Sequence, residues 1–152
     1  MNPTKATDLL KKQHKNVKAL FKKVENTEDG RRRRQLMDQI ANELKIHTKI
    51  EEEIFYPAVR EIGTSKAEEM VDEAYEEHHV VDLVLAELPK VDPEDERFAA
   101  KMTVLSELVE HHADEEEDAM FPMCEKKLGR ERLQQLGAQM QQMAEGGRSR
   151  AA

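Results

Sequence analysis

The strongest constraint on this chain is an internal repeat that sets polar residues at positions where a helix needs apolar ones. The string from His47 through Glu51 to Pro57 aligns without a gap on the string from His112 through Glu116 to Pro122, 65 positions further on, and His14 and His78 stand 64 apart. Such self-similarity implies two copies of one helical hairpin packed against each other. Each copy supplies a lone His from its first helix and a His-x-x-x-Glu pair from its second. Four imidazoles and two carboxylates therefore converge on one midpoint.

The rest of the chain supports long helices around that midpoint. Apolar residues recur at spacings of three and four in Leu10, His14, Val17, Phe21, Val24, in Leu36, Ile40, Leu44, His47, Glu51, Ile54, Ala58, and in Val71, Ala74, His78, Val81, Leu85, Leu88. Phe98, Leu105, Leu108, His112, Glu116, Ala119 and Met123 make a fourth stripe. One face of a helix has this period. Breakers place the helices at about 7–25, 32–62, 66–88 and 92–127, with Pro57 and Pro122 disturbing the second and fourth by removing an amide donor. The expected fold is all-α, an up-down-up-down four-helix bundle over residues 1–128, with a short C-terminal helix over 129–145 and a disordered tail over 146–152.

Composition narrows the function classes. Acidic residues number 32 against 24 basic ones, a net charge of −8, which repels a phosphate backbone and argues against nucleic-acid partners. The run Arg31 to Arg34 is the local exception and reads as solvated surface. No stretch approaches the ~18 apolar residues of a membrane span, and the first ten residues lack a secretory pattern. Cys124 is the single cysteine, so no internal disulfide forms. The expectation is a soluble cytoplasmic protein, a monomer or a weak homo-oligomer, with no nucleic-acid or membrane partner.

A His followed four residues later by Glu is weak by itself, because His111 and Glu115 match as well. The distance to the proline selects His112 and Glu116: ten from His and six from Glu in both copies. Residues four apart share a helix face, so each pair offers an imidazole and a carboxylate together. Two buried carboxylates near each other would cost several kcal/mol unless cations compensate. Imidazole with carboxylate suits Fe, Mn or Zn, and carboxylates from opposite helices can bridge two ions about 3–4 Å apart. His79 and His111 should point elsewhere, ~100° round their helices. Glu52, Glu53, Glu115 and Glu117 read as the solvated sides of theirs.

Over roughly Lys5 to Lys127 the chain resembles the hemerythrin-like family, the HHE cation-binding domain, of the short single-domain bacterial type. The motifs that carry the likeness are Leu9 to His14, His47 to Pro57, Glu77-His78 and His112 to Pro122. The resemblance implies a non-haem centre of two Fe ions sharing an oxo or hydroxo bridge, Mn or Zn being lesser fits, with His14, His47, Glu51, His78, His112 and Glu116 as metal ligands. Oxygen-carrying members have a fifth His one turn from the third-helix ligand; here those places hold Ala74 and Asp82. Solvent, Asp82 or Tyr56 could fill the gap. Asp82 reads as a partner orienting an imidazole, and Tyr56 reaches the metal only if Pro57 distorts its helix.

Loss of a neutral imidazole in favour of solvent or an anionic oxygen should stabilise the ferric state. The leading expectation is therefore a di-iron protein that binds or reacts with small oxidants, O2, hydrogen peroxide or nitric oxide, with catalase-like peroxide decomposition as its enzymatic version. No catalytic side chain beyond the ligands is required. The alternative is a non-catalytic module for O2 binding, iron storage or sensing.

Overall fold

The computed structural model describes residues 4–151, and they form helices joined by short turns. The first, α1 (Ala6–Glu25), is followed by α2 (Gly30–Ile50), which Asp29 caps by accepting from the Arg32 amide. A turn of π-helix (Glu51–Phe55) leads on into α3 (Tyr56–Arg60). Then come α4 (Ser65–Glu87), capped by Thr64, and a 3-10 turn (Leu88–Lys90) that Pro89 closes. The fourth long helix is α5 (Glu96–Glu115), a second π turn (Glu116–Met120) and α6 (Phe121–Lys127). It starts at an Asp95 cap rather than at Asp92, because Asp95 accepts from the Arg97 amide while Asp92 accepts from Glu94 in the preceding loop. Last is α7 (Gly129–Ala151).

The four long helices make the expected bundle, and α7 lies along α1 and α2. Residues 1–3 and 152 of the expected segments lie outside the described residues. Within them, 146–151 is helical and not a disordered tail. Tertiary contact overrides the weak local propensity of two glycines. Gly147 packs against Ile46, where a Cβ would lie 3.1 Å from its Cγ1, and Arg148 reaches Glu43 at 3.4 Å. Gly63 and Gly129, with φ of 78° and 82°, allow the sharp exits from α3 and α6.

Each π turn falls just ahead of a proline. Pro57 and Pro122 have no amide to donate, and the residue before each instead donates five residues back: the Tyr56 amide to the Glu51 carbonyl and the Phe121 amide to the Glu116 carbonyl. One extra residue per turn rotates everything beyond it. Phe55 and Tyr56 therefore turn inward where an unbroken period would put Ile54, and Met120, Phe121 and Cys124 turn inward in place of Ala119 and Met123.

Two apolar clusters fill the bundle. One gathers Leu10, Ile50, Phe55, Val59, Val71, Phe121, Leu133 and Met140 beneath α7; the other gathers Val17, Phe21, Leu36, Ile40, Leu44, Val81, Phe98 and Leu105 at the far end. A polar layer separates them. The far end is tied by arginines expected to be solvated: Arg33 donates to the Thr27 and Pro93 carbonyls, and Arg34 to those of Leu88 and Val91 while stacking over Phe98. Their guanidinium forks satisfy loop carbonyls that no helix ladder reaches; Arg31 and Arg32 do stay exposed.

Candidate metal centre

The polar layer is where the repeat converges. His14 on α1, His47 on α2, His78 on α4 and His112 on α5 are all buried, as are Glu51 and Glu116 at the first positions of the two π turns. Nε2 of His14 lies 3.1 Å from Glu116 Oε1, and Nε2 of His47 and of His78 each lie 3.1 Å from Glu51 Oε1. His112 Nε2 is 3.5 Å from Glu116 Oε2 and 3.1 Å from His78 Nε2. Donor atoms fall into two overlapping groups, one of His14, His47, Glu51 and Glu116, the other of Glu51, His78 and His112. Glu51 belongs to both.

The outward nitrogens are each held by a neighbour. His14 Nδ1 meets Glu117 at 2.8 Å, His47 Nδ1 meets Gln13 at 2.6 Å, His78 Nδ1 meets Glu52 at 2.7 Å and His112 Nδ1 meets Glu77 at 2.7 Å. An acceptor at Nδ1 fixes the tautomer and leaves the Nε2 lone pair facing the centre. Glu52 and Glu117 are thus not merely solvated, and Asp82, expected to orient an imidazole, is exposed one turn away. All four holders were hidden by their polarity, which is what a solvated face also shows. The repeat could have found them: Gln13 and Glu77 precede the lone histidines, and Glu52 and Glu117 follow the two inward glutamates.

Tyr56 enters the layer because of the π turn. Its buried hydroxyl donates to Glu116 Oε2 at 2.8 Å and lies 3.2 Å from Nε2 of both His78 and His112. That is the side on which the fifth histidine is missing. Its counterpart Phe121, 65 positions on, has no hydroxyl and stacks on His14 with ring centroids 6.0 Å apart. The two halves of the layer therefore differ: Gln13 and Phe121 border one, Glu77 and Tyr56 the other. His79 and His111 are exposed.

Charge within the layer is finely divided. Burial, then the Glu51 charge, pushes the Glu116 carboxyl up to about 7. Burial also resists ionisation of Glu51, yet the charge of His47 beside it, with Glu116 and His112 close by, holds it well below the usual carboxylate range. Burial opposes a charge on His112, but Glu116, Glu51 and Glu77 outweigh it and raise its pKa well above the ordinary value. For His47 burial prevails and the pKa falls. Burial and the two glutamates raise the Tyr56 phenol, which keeps its proton and donates.

A metal ion fits this donor set. His47 Nε2 and Glu51 Oε2 are buried and make no hydrogen bond; orphaned acceptors in a dry interior cost about 1–3 kcal/mol each unless a cation meets them. Imidazole and carboxylate converging from four helices are the usual ligands of bundle-core metals.

Residues 5–124 match the family described as the hemerythrin HHE cation-binding domain. The chain belongs to that family. The HHE domain is similar over 97% of its length to the crystal structure of an HHE domain-containing protein from Mycobacterium kansasii, a homolog of Rv2633c, with 29% identity, a TM-score of 0.85 and 90% of that chain covered. It is 33% identical over 118 residues to the uncharacterized protein Rv2633c of Mycobacterium tuberculosis, spanning 77% of this chain and 70% of that one. It is also 26% identical over 129 residues to a DNA nickase of Nostoc, covering 84% of this chain but only 36% of that protein. The likeness thus spans about a third of the Nostoc protein. Among the described residues no helix is long and apolar enough to cross a membrane.

Proposed function

We propose that this HHE domain is a non-haem di-iron protein that binds or reacts with small oxidants, O2, hydrogen peroxide or nitric oxide, with peroxide decomposition as its enzymatic form. The observation that carries the reading is the pair of donor groups sharing Glu51. His14 and His47 would hold one ion, His78, His112 and Tyr56 the other, with Glu51 and Glu116 spanning both. Iron, when bound, supplies Lewis acidity and electrons for the oxidant.

The side chains do the rest. Gln13, Glu52, Glu77 and Glu117 keep the imidazole rings aimed inward, so little reorganisation accompanies a change in charge at the centre. Tyr56 offers an anionic oxygen to the His78 and His112 side once it loses its proton, and Glu77 adds a second negative charge behind His112. Both features favour a more oxidised ion on that side than on the side of Gln13 and Phe121. Beside the four imidazoles Val17, Leu44, Val81 and Val109 wall a cavity of about 20 Å³. A space of that size admits one molecule of about the size of water. The same enclosure favours the alternative of a non-catalytic O2-binding, storage or sensing module.

An iron assay with a visible spectrum taken before and after peroxide tests the reading. Two equivalents of iron and rapid O2 release from peroxide support the enzyme; two equivalents with reversible spectral change under O2 and no turnover support the binding module. Iron well below one equivalent after expression with iron supplied overturns both.

A further inference from the structure

We propose that Glu77, His111 and Glu115 form an outer site for a divalent cation, and that this site feeds the buried centre through the cavity beside it. The proposal rests on the reading of the buried centre as a metal site. His111 and Glu115 are four apart on α5 and share a face, with Nε2 and Oε1 3.1 Å apart; Glu77 comes across from α4, its Oε2 3.5 Å from the same nitrogen. One donor atom from each of the three falls within 4.8 Å of the others. Two carboxylate oxygens and an imidazole suit ferrous iron or manganese, and solvent can complete the coordination at so open a place.

Glu77 joins this set to the interior. While Oε2 faces His111, Oε1 accepts from His112 Nδ1 at 2.7 Å. A cavity of about 430 Å³ runs from His111 and Glu115 to His112 and Glu116. Its walls carry Glu73, Glu77, Asp114, Glu115 and Asp118 against Lys66. Clefts lined by one sign of charge concentrate counter-ions and raise their rate of arrival. The other approaches are poorer: the groove of about 720 Å³ between α2 and α4 touches none of the six inward His and Glu side chains, and the cavity that the four imidazoles line with Gln13, Thr48, valine and leucine holds only about 20 Å³ and carries no carboxylate.

The repeat sharpens the contrast. In the first copy the equivalents of Glu77, His111 and Glu115 are Gln13, Ile46 and Ile50. Ile46 and Ile50 are buried, with Gly147 of α7 packed on Ile46. Only the copy that α7 leaves open carries a set of metal-binding side chains there.

His111 is 65% exposed, so His111→Ala and Glu115→Gln should leave the fold and the buried ligands in place, as circular dichroism can verify. Full-length metal-free protein is titrated anaerobically with ferrous iron by calorimetry, and uptake by the buried centre is timed against a chromophoric chelator. Wild type should take two tight equivalents and a weaker third. Each variant should lose the third, keep the two, and load them about tenfold more slowly, the low end of electrostatic steering. Two equivalents in wild type, or variants that bind and load as wild type does, overturn the outer site and leave the buried centre standing. Fewer than two equivalents in wild type overturn both.

Discussion

Replacing Tyr56 with Phe isolates a single oxygen atom. The ring keeps its place between Phe55, Tyr75 and His78, while the hydrogen bond to Glu116 Oε2 at 2.8 Å disappears. Donor and acceptor are both buried, at 0% and 2% exposure, so water cannot replace the lost partner. A hydrogen bond to a charged or partly charged group contributes about 1.5–3 kcal/mol, which for a chain of this size lowers the unfolding midpoint by roughly 3–12 °C. Thermal unfolding of chelator-treated Tyr56→Phe against wild type measures it. A midpoint within ~1 °C of wild type refutes the claim that this hydroxyl satisfies Glu116. The iron-loaded forms give a second, separate readout. A ferric ion bound to phenolate has a charge-transfer band in the visible, and Tyr56→Phe should abolish it; identical spectra would refute ligation by Tyr56 while leaving the hydrogen bond intact.

Glu52→Ala removes the acceptor at His78 Nδ1 and should weaken metal binding about 10–100-fold, read by chelator competition, with little effect on helicity. Unchanged affinity would mean that packing alone orients the ring. For the metal-free protein, Glu116 is raised from 4.5 to about 7 and His112 well above 6.5; both bind more protons folded than unfolded, so stability is fully present below the unfolded values and is lost as pH rises through the folded ones. The lowered pKa of His47 acts the other way, and that of Glu51 adds a loss on strong acidification. Denaturant midpoints of metal-free protein should therefore fall from pH 6 to pH 8, and metal should remove that fall by supplying the positive charge that protons supplied; an alkaline rise without metal contradicts the assignment. Gly137→Ala drives a Cβ into the Thr4 carbonyl oxygen and should cost about 1–3 kcal/mol by overpacking, seen in urea unfolding, whereas Gly146→Ala, which meets nothing, should be neutral or stabilising.

Residue order alone was enough for the four long helices, the bundle and the six inward His and Glu side chains. Apolar spacing has the period of the helix, and the proline register separates His112 and Glu116 from His111 and Glu115, which match the same local pattern. Such features are local or repeated, so they survive without coordinates. The π turns were half legible: the prolines announced a disturbance after Glu51 and Glu116, but the size of the rotation depends on which carbonyl the preceding amide finds. That choice put Tyr56, rather than Ile54, toward the centre. Tertiary packing decided what lies more than one helix away. Whether an exposed-looking Glu is solvated or holds an imidazole depends on the neighbouring helix, so polarity alone does not tell Glu52, Glu77 and Glu117 from Glu53, which stays exposed; only their repeated places beside the inward residues mark them. Arg33 and Arg34 acquired their carbonyl partners only when two loops met, and residues 146–151 became helical only against Ile46 and Glu43. A helix face is written in one segment; a contact belongs to two, and the second member is known only once the bundle has closed.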